Sequence, residues 1–296
     1  MGYLHVNNLY KEQDLLMFKE VYALEKVHGT SAHLSYNNGR VGFFSGGESH
    51  EKFKVLFDEQ KLATEFAALG MEKCIVYGEA YGGKQQGMSA TYGKELKFIV
   101  FDVLVGEHSW LSVPDMHRVA TALGLDVVPW QLVNCDLATL DRIRDMPSEV
   151  ATRNGCGNDK TREGIVIRPP MELRKNNGAR LIAKHKGTTF NERKTDQKIV
   201  DPTKLAVLTA AKAIADEWTT PMRLLHVLDK LPLPPGSTQH ETQQIPDIIR
   251  AMVADIYREG AGEIVESKDA ERAIGSRTAQ IFKQHLQQTL KGTSAP

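Results

Sequence analysis

The chain has 296 residues, and its 37 Lys and Arg balance 37 Asp and Glu, so the formal net charge is zero. Hydrophobic residues make up 41% and charged residues 25%, which is ordinary for a soluble globular protein of one large domain or two smaller ones. The balance excludes recognition of a polyanion by overall charge, so a nucleic-acid partner would need locally clustered Lys and Arg.

The cysteines and the hydropathy of the chain argue against a disulfide-rich, cysteine-metal or membrane-spanning protein. Cys74, Cys135 and Cys156 are far apart, so no pair has metal-ligand spacing and no disulfide framework is implied. This usage predicts a reducing, cytoplasmic location. There is no apolar core of signal-peptide length at the N-terminus and no run that approaches a membrane span, so no membrane partner is expected.

The first two thirds of the chain carry mostly strand and turn signals. Residues 30–36 and 41–44 flank an Asn-Gly turn and predict a β-hairpin. Residues 73–80 and 96–105 are β-branched and aromatic, which favours strands. Apolar spacing predicts a helix over 113–123, with Gly124 as its stop. Two further strands are predicted, over 165–168 and 180–186.

The character of the sequence changes near residue 202. Helices are predicted over 203–218, 221–230, 245–259 and 268–290, with Thr220 as N-cap and Pro221 in the first turn of the second. A Pro/Gly linker covers 231–237, and no strand candidate follows residue 202. The prediction is an α+β chain: a mixed domain over residues 1–202 and a small all-helical domain over 203–296.

One lysine precedes the hairpin in the run Glu25-Lys26-Val27-His28-Gly29-Thr30. An unprotonated lysine amine attacks phosphorus, provided that its surroundings remove the proton. A glycine three residues later permits a tight turn and a close backbone approach to a nucleotide. By itself, Lys-x-x-Gly is equally a surface lysine beside a turn.

Acidic and aromatic residues follow at strand ends. Glu79 precedes a Gly-Gly pair, where its carboxylate could accept hydrogen bonds from ribose hydroxyls or simply be a surface glutamate. Phe101 lies in an apolar strand and is equally a core residue, but the adjacent Asp102 needs a buried partner. Glu163 opens another strand and offers a carboxylate for a divalent metal.

Two lysines, Lys184 and Lys186, lie two residues apart on a predicted strand and so share one face. Two neighbouring ammonium groups repel each other unless an anion binds between them. The triphosphate of a nucleotide would be such an anion. The alternative is a solvated edge-strand pair.

Together these motifs resemble the covalent nucleotidyltransferase superfamily of polynucleotide ligases and mRNA-capping enzymes. Among its members, the nick-sealing, double-strand type of ATP-dependent RNA ligase is the most similar. His28 stands where DNA ligases and capping enzymes usually have Asp, and Lys-x-Lys followed by Phe190-Asn191-Glu192 is similar to that ligase type. The helical tail is a third likeness, because DNA ligases and capping enzymes attach an OB-fold barrel.

The resemblance implies a nucleotidyltransferase (ATP-grasp-like ligase) domain of antiparallel sheets with flanking helices, followed by a helical domain that docks RNA. Its cofactors are ATP and Mg²⁺ or Mn²⁺, its partner is RNA, and a monomer is expected. The implied roles are: Lys26 as nucleophile, His28 in the later steps, Glu25 on adenine, Glu79 on ribose, Phe101 and Val166 on the two purine faces, Glu163 on the metal, and Lys184 and Lys186 on the phosphates.

The chain departs from this family after the first hairpin strand, where an arginine usually contacts phosphate or RNA. The stretch here reads Phe43-Phe44-Ser45-Gly46-Gly47-Glu48. Arg40, Lys52, Lys54 and the Gly46-Gly47 amides are the open substitutes. In the helical tail, Arg223 and Lys230 are either RNA contacts or the solvated face of an amphipathic helix.

Two alternatives stay open. A DNA ligase or capping-type enzyme predicts a C-terminal barrel. A non-catalytic nucleic-acid-binding relative is expected to lose Lys26 or the paired lysines, and this chain keeps both.

Overall fold

A computed structural model describes residues 2–190, 210–237 and 239–292 of the chain. The chain forms two compact units, residues 1–187 and 188–296. The domain boundary expected at residue 202 lies outside the described residues. So do 203–209 of the first predicted tail helix, and Asn191 and Glu192 of the Phe-x-Glu motif.

The first unit contains ten strands within its described residues. They are β1 (Asn7–Asn8), β2 (Glu20–Lys26), β3 (Thr30–Asn37), β4 (Arg40–Ser45), β5 (Lys73–Gly82), β6 (Leu96–Val105), β7 (Ser109–Trp110), β8 (Trp130–Asn134), β9 (Gly164–Arg168) and β10 (Ala183–Lys186). They form two five-stranded sheets. We call the sheet with order β1-β10-β9-β2-β8 the lysine sheet, and the sheet with order β4-β3-β5-β6-β7 the hairpin sheet.

Neighbouring strands in both sheets are antiparallel, except that β1 runs parallel to β10. The antiparallel sheets expected from the sequence are therefore present, with this one exception. The hairpin β3–β4 turns at Asn38 and Gly39, whose φ angles of 45° and 88° are both positive. Asn and Gly tolerate this left-handed region best, and the resulting tight turn sets the register of the hairpin.

One predicted strand is shorter in the structure than expected. Residues 180–186 were predicted as a strand, but β10 begins at Ala183. Arg180 instead makes an isolated β-bridge with Arg174, and its guanidinium turns inward to bind Asp102 and Glu172. The side chain's buried ion pairs, and not the sheet ladder, therefore determine the course of residues 180–182.

The described residues of the first unit also form six α-helices. They are α1 (His50–Lys54), α2 (Glu59–Ala68), α3 (Ser89–Tyr92), α4 (Val113–Ala122), α5 (Leu137–Arg144) and α6 (Glu149–Arg153). Helices α1 to α4 pack against the hairpin sheet and α6 packs on α3, whereas α5 packs against β2, β8 and β9 of the lysine sheet. The prediction for 113–123 is confirmed within one residue. Fully buried Phe53, Phe66 and Met116 from three of these helices pack with Val76 and Val103 of the sheet. Burial of this apolar surface stabilises the sheet whose other face carries Glu79.

The described part of the second unit is helical, apart from connecting segments. Its helices are α7 (Ala211–Trp218), α8 (Pro221–Lys230), α9 (Ile245–Glu259) and α10 (Lys268–Gly292). Thr220 caps α8 by accepting a hydrogen bond from the Arg223 N–H, as predicted. A separate apolar core joins the four helices, with Trp218, Leu224, Met252, Ile274 and Phe282 among its buried members. No strand occurs among residues 210–237 and 239–292.

Arg223 is a core residue of this helical unit. Its side chain is 1% exposed, donates to the Trp218 carbonyl and pairs with Asp255. Arg223 was expected either to contact RNA or to lie on the solvated face of its helix. Both expectations are wrong, because its guanidinium is buried and paired inside the helical unit. Among the described helices, none has the length and apolarity needed to cross a membrane.

Candidate active site

Lys26 occupies the last position of β2, which lies between β9 and β8 in the lysine sheet. The register pairs it with Gly164 of β9, and Gly164 in turn pairs with Lys186 of β10. The two lysines therefore stand abreast on strands that flank a glycine. With no side chain on the central residue, both ammonium groups can turn towards the same point.

That point is the carboxylate of Glu163. Lys26 Nζ donates to its Oε2 at 2.9 Å, and Lys186 Nζ lies 3.0 Å from its Oε1. His28 Nδ1 lies 3.2 Å from Oε2. One buried carboxylate, with its side chain 1% exposed, thus faces two ammonium groups and an imidazole.

The electrostatics of this cluster decide the protonation of Glu163. Burial by itself would raise the pKa of the carboxyl, but Lys26, Lys186 and His28 hold the pKa of Glu163 well below its usual range. The group is therefore an anion at neutral pH. It compensates cationic side chains that would otherwise repel one another in a buried place.

Glycines allow the backbone to close around this cluster at two places. A Cβ on Gly164 would lie 2.2 Å from the His185 carbonyl oxygen, which is backbone and cannot yield cheaply. A Cβ on Gly29 would lie 2.3 Å from the Ala80 carbonyl oxygen. The glycine of Lys-x-x-Gly is thus required by contact between β3 and β5.

Glu79 is joined to the lysine motif through the same glycine. Its Oε1 accepts a hydrogen bond from the Gly29 N–H at 3.1 Å. The motif's His28 is 4% exposed, and its N–H donates to the hydroxyl of the buried Tyr92 at 3.3 Å. The structure therefore brings Lys26, His28, Glu163 and Glu79 around one short loop, as the sequence motifs suggested.

Phe101 owes its orientation to a β-bulge. The register passes from Tyr77 opposite Asp102 to Gly78 opposite Val100, so Phe101 is the extra residue on β6. Bulges re-aim side chains and are frequent near functional sites. The half-buried Phe101 ring meets the edge of the Tyr3 ring, with centroids 4.8 Å apart.

The sequence indicated that Asp102, an acidic residue in an apolar strand, needs a buried partner, and the structure provides three. Its carboxylate pairs with Arg168 at 3.1 Å and Arg180 at 2.6 Å, and accepts from the Tyr3 hydroxyl at 2.7 Å. Asp102 is 0% exposed and both arginine side chains are at most 3% exposed. This network joins β9 of the lysine sheet to β6 of the hairpin sheet, beside Phe101.

Lys184 and Val166 belong to the same face of the lysine sheet as Lys26. They are direct neighbours in the register of β10 and β9, and Val166 also pairs with Leu24 of β2. Lys184 shares the face of Lys186, as predicted, since the two are separated by one residue on a strand. His185, between them, points the other way and binds Asp141 at 2.7 Å.

The Glu25 carboxylate is not part of the cluster around Glu163. It accepts hydrogen bonds from Ser148 Oγ at 2.5 Å and from the Glu149 N–H at 2.9 Å, both at the start of α6. Arg162 Nη2 lies 3.8 Å away. Burial raises the pKa of Glu25, against the opposing effects of Ser148 and Arg162.

Several residues of this region had no role in the sequence interpretation, among them Tyr3, Tyr92, Ser148 and Arg162. Ser148 carries a detectable signal, since a serine before Glu149 is a typical helix N-cap. Arg162 donates to the Pro147 carbonyl at 2.7 Å, a contact that no local pattern foretells.

Comparison with known proteins places these features in a family. An RNA ligase family model matches residues 19–186, more than half of the chain, and this range contains every candidate site residue. A search of curated proteins finds no match.

Solved structures of Naegleria gruberi RNA ligase share the fold. A variant with ATP and Mn matches with a TM-score of 0.51 and 14% identity, covering 64% of this chain and 57% of that one. The ligase with PPi matches with a TM-score of 0.50 and 14% identity, over the same 64% and 57%. The chain thus spans less than two thirds of that ligase's length. On the evidence of the family model, the chain belongs to the RNA ligase family.

Proposed function

We propose that this protein is an ATP-dependent RNA ligase that joins RNA 3′-hydroxyl and 5′-phosphate ends through a covalent lysyl-AMP on Lys26. The observation that carries the proposal is the convergence of Lys26, Lys186 and His28 on the buried Glu163 carboxylate, in a chain of the RNA ligase family. The fold neighbours' ATP and Mn support the choice of nucleotide and the need for a divalent ion.

In the first step, the Lys26 amine attacks the α-phosphate of ATP. The new N–P bond forms as the bond to pyrophosphate breaks. The attack needs an unprotonated amine, so the Lys26 ammonium group, which the Glu163 carboxylate stabilises before the reaction, must first release its proton to solvent. Lys184 and Lys186, on the same strand face, compensate the charge that spreads over the phosphate oxygens.

In the next steps, AMP passes from Lys26 to an RNA 5′-phosphate, and a 3′-hydroxyl then displaces AMP to form the phosphodiester. We assign His28 to these steps, because its imidazole lies beside Lys26 on the same carboxylate. Glu79, Phe101 and Val166 are the proposed contacts to the ribose and the two purine faces. Glu25 is the proposed residue that positions the adenine, and its contacts with the start of α6 also fix the end of β2 that carries Lys26.

The residues present fit a divalent cation at Glu163. Its carboxylate is a buried anion whose Oε1 lies 3.0 Å from Lys186 Nζ, and an anionic oxygen is the kind of donor that Mg²⁺ takes. Mg²⁺ is commonly held by one or two carboxylates together with substrate phosphates. A bound Mg²⁺ or Mn²⁺ supplies charge neutralisation at the phosphates.

Within the family, we propose the nick-sealing type acting on RNA, for two reasons. His28 follows the motif of that type, and the described part of the second unit is helical. A DNA ligase or capping-type enzyme predicts a strand-rich barrel after the catalytic domain, which residues 210–237 and 239–292 do not contain. The helical unit is the proposed RNA-docking domain.

The test is incubation with Mg²⁺ and α-labelled ATP or GTP, followed by denaturing electrophoresis. Wild type is expected to give a labelled band with ATP, and Lys26→Ala no band. A band with GTP alone would indicate a capping-type enzyme. Retained labelling of Lys26→Ala would move the nucleophile elsewhere, and no band after removal of any bound AMP would favour a non-catalytic relative.

His28→Ala separates the later steps from the first. Adenylate formation is expected to survive better than the sealing of a nicked RNA duplex, both measured as single-turnover rates. Equal losses at both steps would contradict the role assigned to His28.

A further inference from the structure

An aromatic stack crosses the hairpin sheet on the face that carries Glu79. Phe44 of β4 stacks on His33 of β3 with centroids 4.9 Å apart and planes 25° apart. His33 in turn contacts Tyr77 of β5 at 5.5 Å. The register pairs His33 with both of these residues, so the three side chains share one face of the sheet.

Phe44 is the open end of this stack. Its side chain is 47% exposed, whereas His33 is 7% and Tyr77 1% exposed. An exposed aromatic ring that is supported on one side by a buried ring can stack with a flat ligand on its other side. The buried His33 ring, which in turn packs on Tyr77, supports Phe44, so less side-chain entropy is lost when a ligand binds.

The stack lies next to the candidate active site. Ser31 pairs with Glu79 across β3 and β5, and His33 is two residues further along β3 on the same face. Two residues of a strand span roughly 7 Å. Because Glu79 is bonded to Gly29 of the lysine motif, the stack begins about one nucleotide's length from the proposed ribose contact.

Arg40 is the charged residue of β4 that shares the strand face of Phe44, since positions 40, 42 and 44 point the same way. Lys54 Nζ lies over the ring of Phe43, on the other face of β4, and binds Glu59 at 2.7 Å. Lys52 Nζ lies 3.6 Å from Glu48, and the Gly46 N–H donates to the Ser31 carbonyl oxygen at 3.0 Å. Of the open substitutes for the missing family arginine, Arg40 is thus the one on the face that carries Phe44.

We propose that Phe44, backed by His33, is a stacking platform for the terminal base of the RNA strand to be joined. This assignment rests on the proposed ligase function and names a contact within it. A base inside a duplex has neighbours on both faces, whereas the terminal base at an end or nick has one face free.

The chemistry of the platform fits this ligand. Burial lowers the pKa of His33 to about 4, so the ring beneath Phe44 is uncharged at neutral pH. Stacking on an uncharged aromatic ring accepts any base, because every base has a π-face. It also depends little on salt, in contrast to a phosphate contact.

The first experiment measures the Kd of the full-length protein for a fluorescent nicked RNA duplex. Phe44→Ala is expected to weaken binding roughly fivefold to a hundredfold, the range known for loss of one base–aromatic stack. Phe44→Trp is expected to retain wild-type affinity, and Phe44→Leu to behave like Phe44→Ala. The control is Leu137→Ala, which removes an exposed apolar side chain at the start of α5, on the face of the lysine sheet opposite Lys26, and is expected to change nothing.

The second experiment identifies the base. An abasic nucleotide is placed at the 3′-hydroxyl end, at the 5′-phosphate end, or two nucleotides inside the duplex. We expect one terminal substitution to weaken wild-type binding and to have no further effect in Phe44→Ala, since both changes remove the same stack. Additive losses at both ends, or unchanged affinity of Phe44→Ala, would overturn the platform.

Salt dependence gives an independent reading. Phe44→Ala is expected to leave the slope of log Kd against log salt unchanged, whereas Phe44→Arg is expected to steepen it by about 0.7–0.9. A flatter slope in Phe44→Ala would contradict stacking. Failure of the platform alone leaves the Lys26-dependent ATP band intact, whereas failure of the ligase function removes that band.

Discussion

Lys26 Nζ and Glu163 Oε2 lie 2.9 Å apart, although 137 residues separate them in the chain. Adjacent strands β2 and β9 bring them together, since Lys26 pairs with the residue after Glu163. The carboxylate therefore holds the proposed nucleophile at a defined place before any nucleotide binds. Lys186 shares this anchor on its other oxygen, so the acid is the centre of the cluster.

Glu163→Gln is expected to lower both stability and adenylate formation. The neutral amide leaves the Lys26 and Lys186 charges uncompensated, and removal of one partner of a buried ion pair costs about 3–5 kcal/mol. Adenylation is expected to fall about 10- to 100-fold, as for other groups that hold a reactive residue or metal. Denaturant unfolding and single-turnover labelling measure the two effects.

A second variant gives this prediction its control. Glu163→Gln combined with Lys186→Met removes one of the unpaired charges, so the double variant is expected to be more stable than Glu163→Gln alone. If the double variant loses the sum of the two single losses, the lysine and the acid do not interact as the 3.0 Å contact indicates.

Gly164→Ala is expected to disrupt the cluster sterically. The new Cβ would lie 2.2 Å from the His185 carbonyl oxygen and 2.8 Å from Lys186 Cα, so β9 and β10 must separate. We expect a loss of about 1–3 kcal/mol in unfolding free energy, the usual cost of overpacking. Gly2→Ala is the matched control, because nothing lies within 4 Å of its Cβ. Equal stability of the two variants would show that the strands have more room than this contact implies.

Asp102→Ala is expected to destabilise the protein by about 3–5 kcal/mol, because Arg168 and Arg180 lose their shared buried carboxylate. The control is Glu107→Ala, which breaks the exposed Lys73–Glu107 pair. Exposed pairs are worth about 0–1 kcal/mol. Thermal and denaturant unfolding measure both, and similar small losses would mean that the arginines are compensated elsewhere.

His33 predicts a pH dependence of stability. The folded state binds this proton with a pKa of about 4, below the ordinary value of 6.5. Between these pH values the unfolded chain takes up more protons, so His33's contribution is full above about pH 6.5 and is lost as the pH falls towards 4.

His33→Phe tests this dependence, since phenylalanine keeps a ring under Phe44 but binds no proton. The difference in unfolding free energy between wild type and variant isolates His33 from the other titrating groups. We expect this difference to favour the variant increasingly from pH 6.5 down to pH 4. A difference that does not change with pH would contradict the buried, uncharged imidazole.

Local patterns predicted most of the elements that carry the site. The hairpin β3–β4, the strands β5, β6 and β9 and the helix α4 all lie where alternation, turn residues and helix signals placed them. Helices α8 and α9 match the predicted bounds, since capping residues and proline mark their ends in the sequence. Such features depend on neighbours a few residues apart, and a sequence displays those directly.

Side-chain partners were not predictable in the same way. The sequence indicated that Asp102 needs a buried partner, yet its partners come from residues 3, 168 and 180. Likewise, no local pattern indicated that the Glu25 carboxylate is bound by Ser148 and Glu149 at the start of α6. Partners this far apart are chosen by the packing of sheets and helices, for which the sequence has no local signal.

By itself, the sequence determined the order of the motifs, the residue types that carry the chemistry and the α+β character of the chain. It did so because spacing and periodicity report on single strands and helices. Only the tertiary structure decided that Lys26, Gly164 and Lys186 stand abreast, that Glu163 joins them, and that Phe44 is exposed over His33. These relationships depend on strand register and burial, which the whole core establishes at once and no short segment encodes.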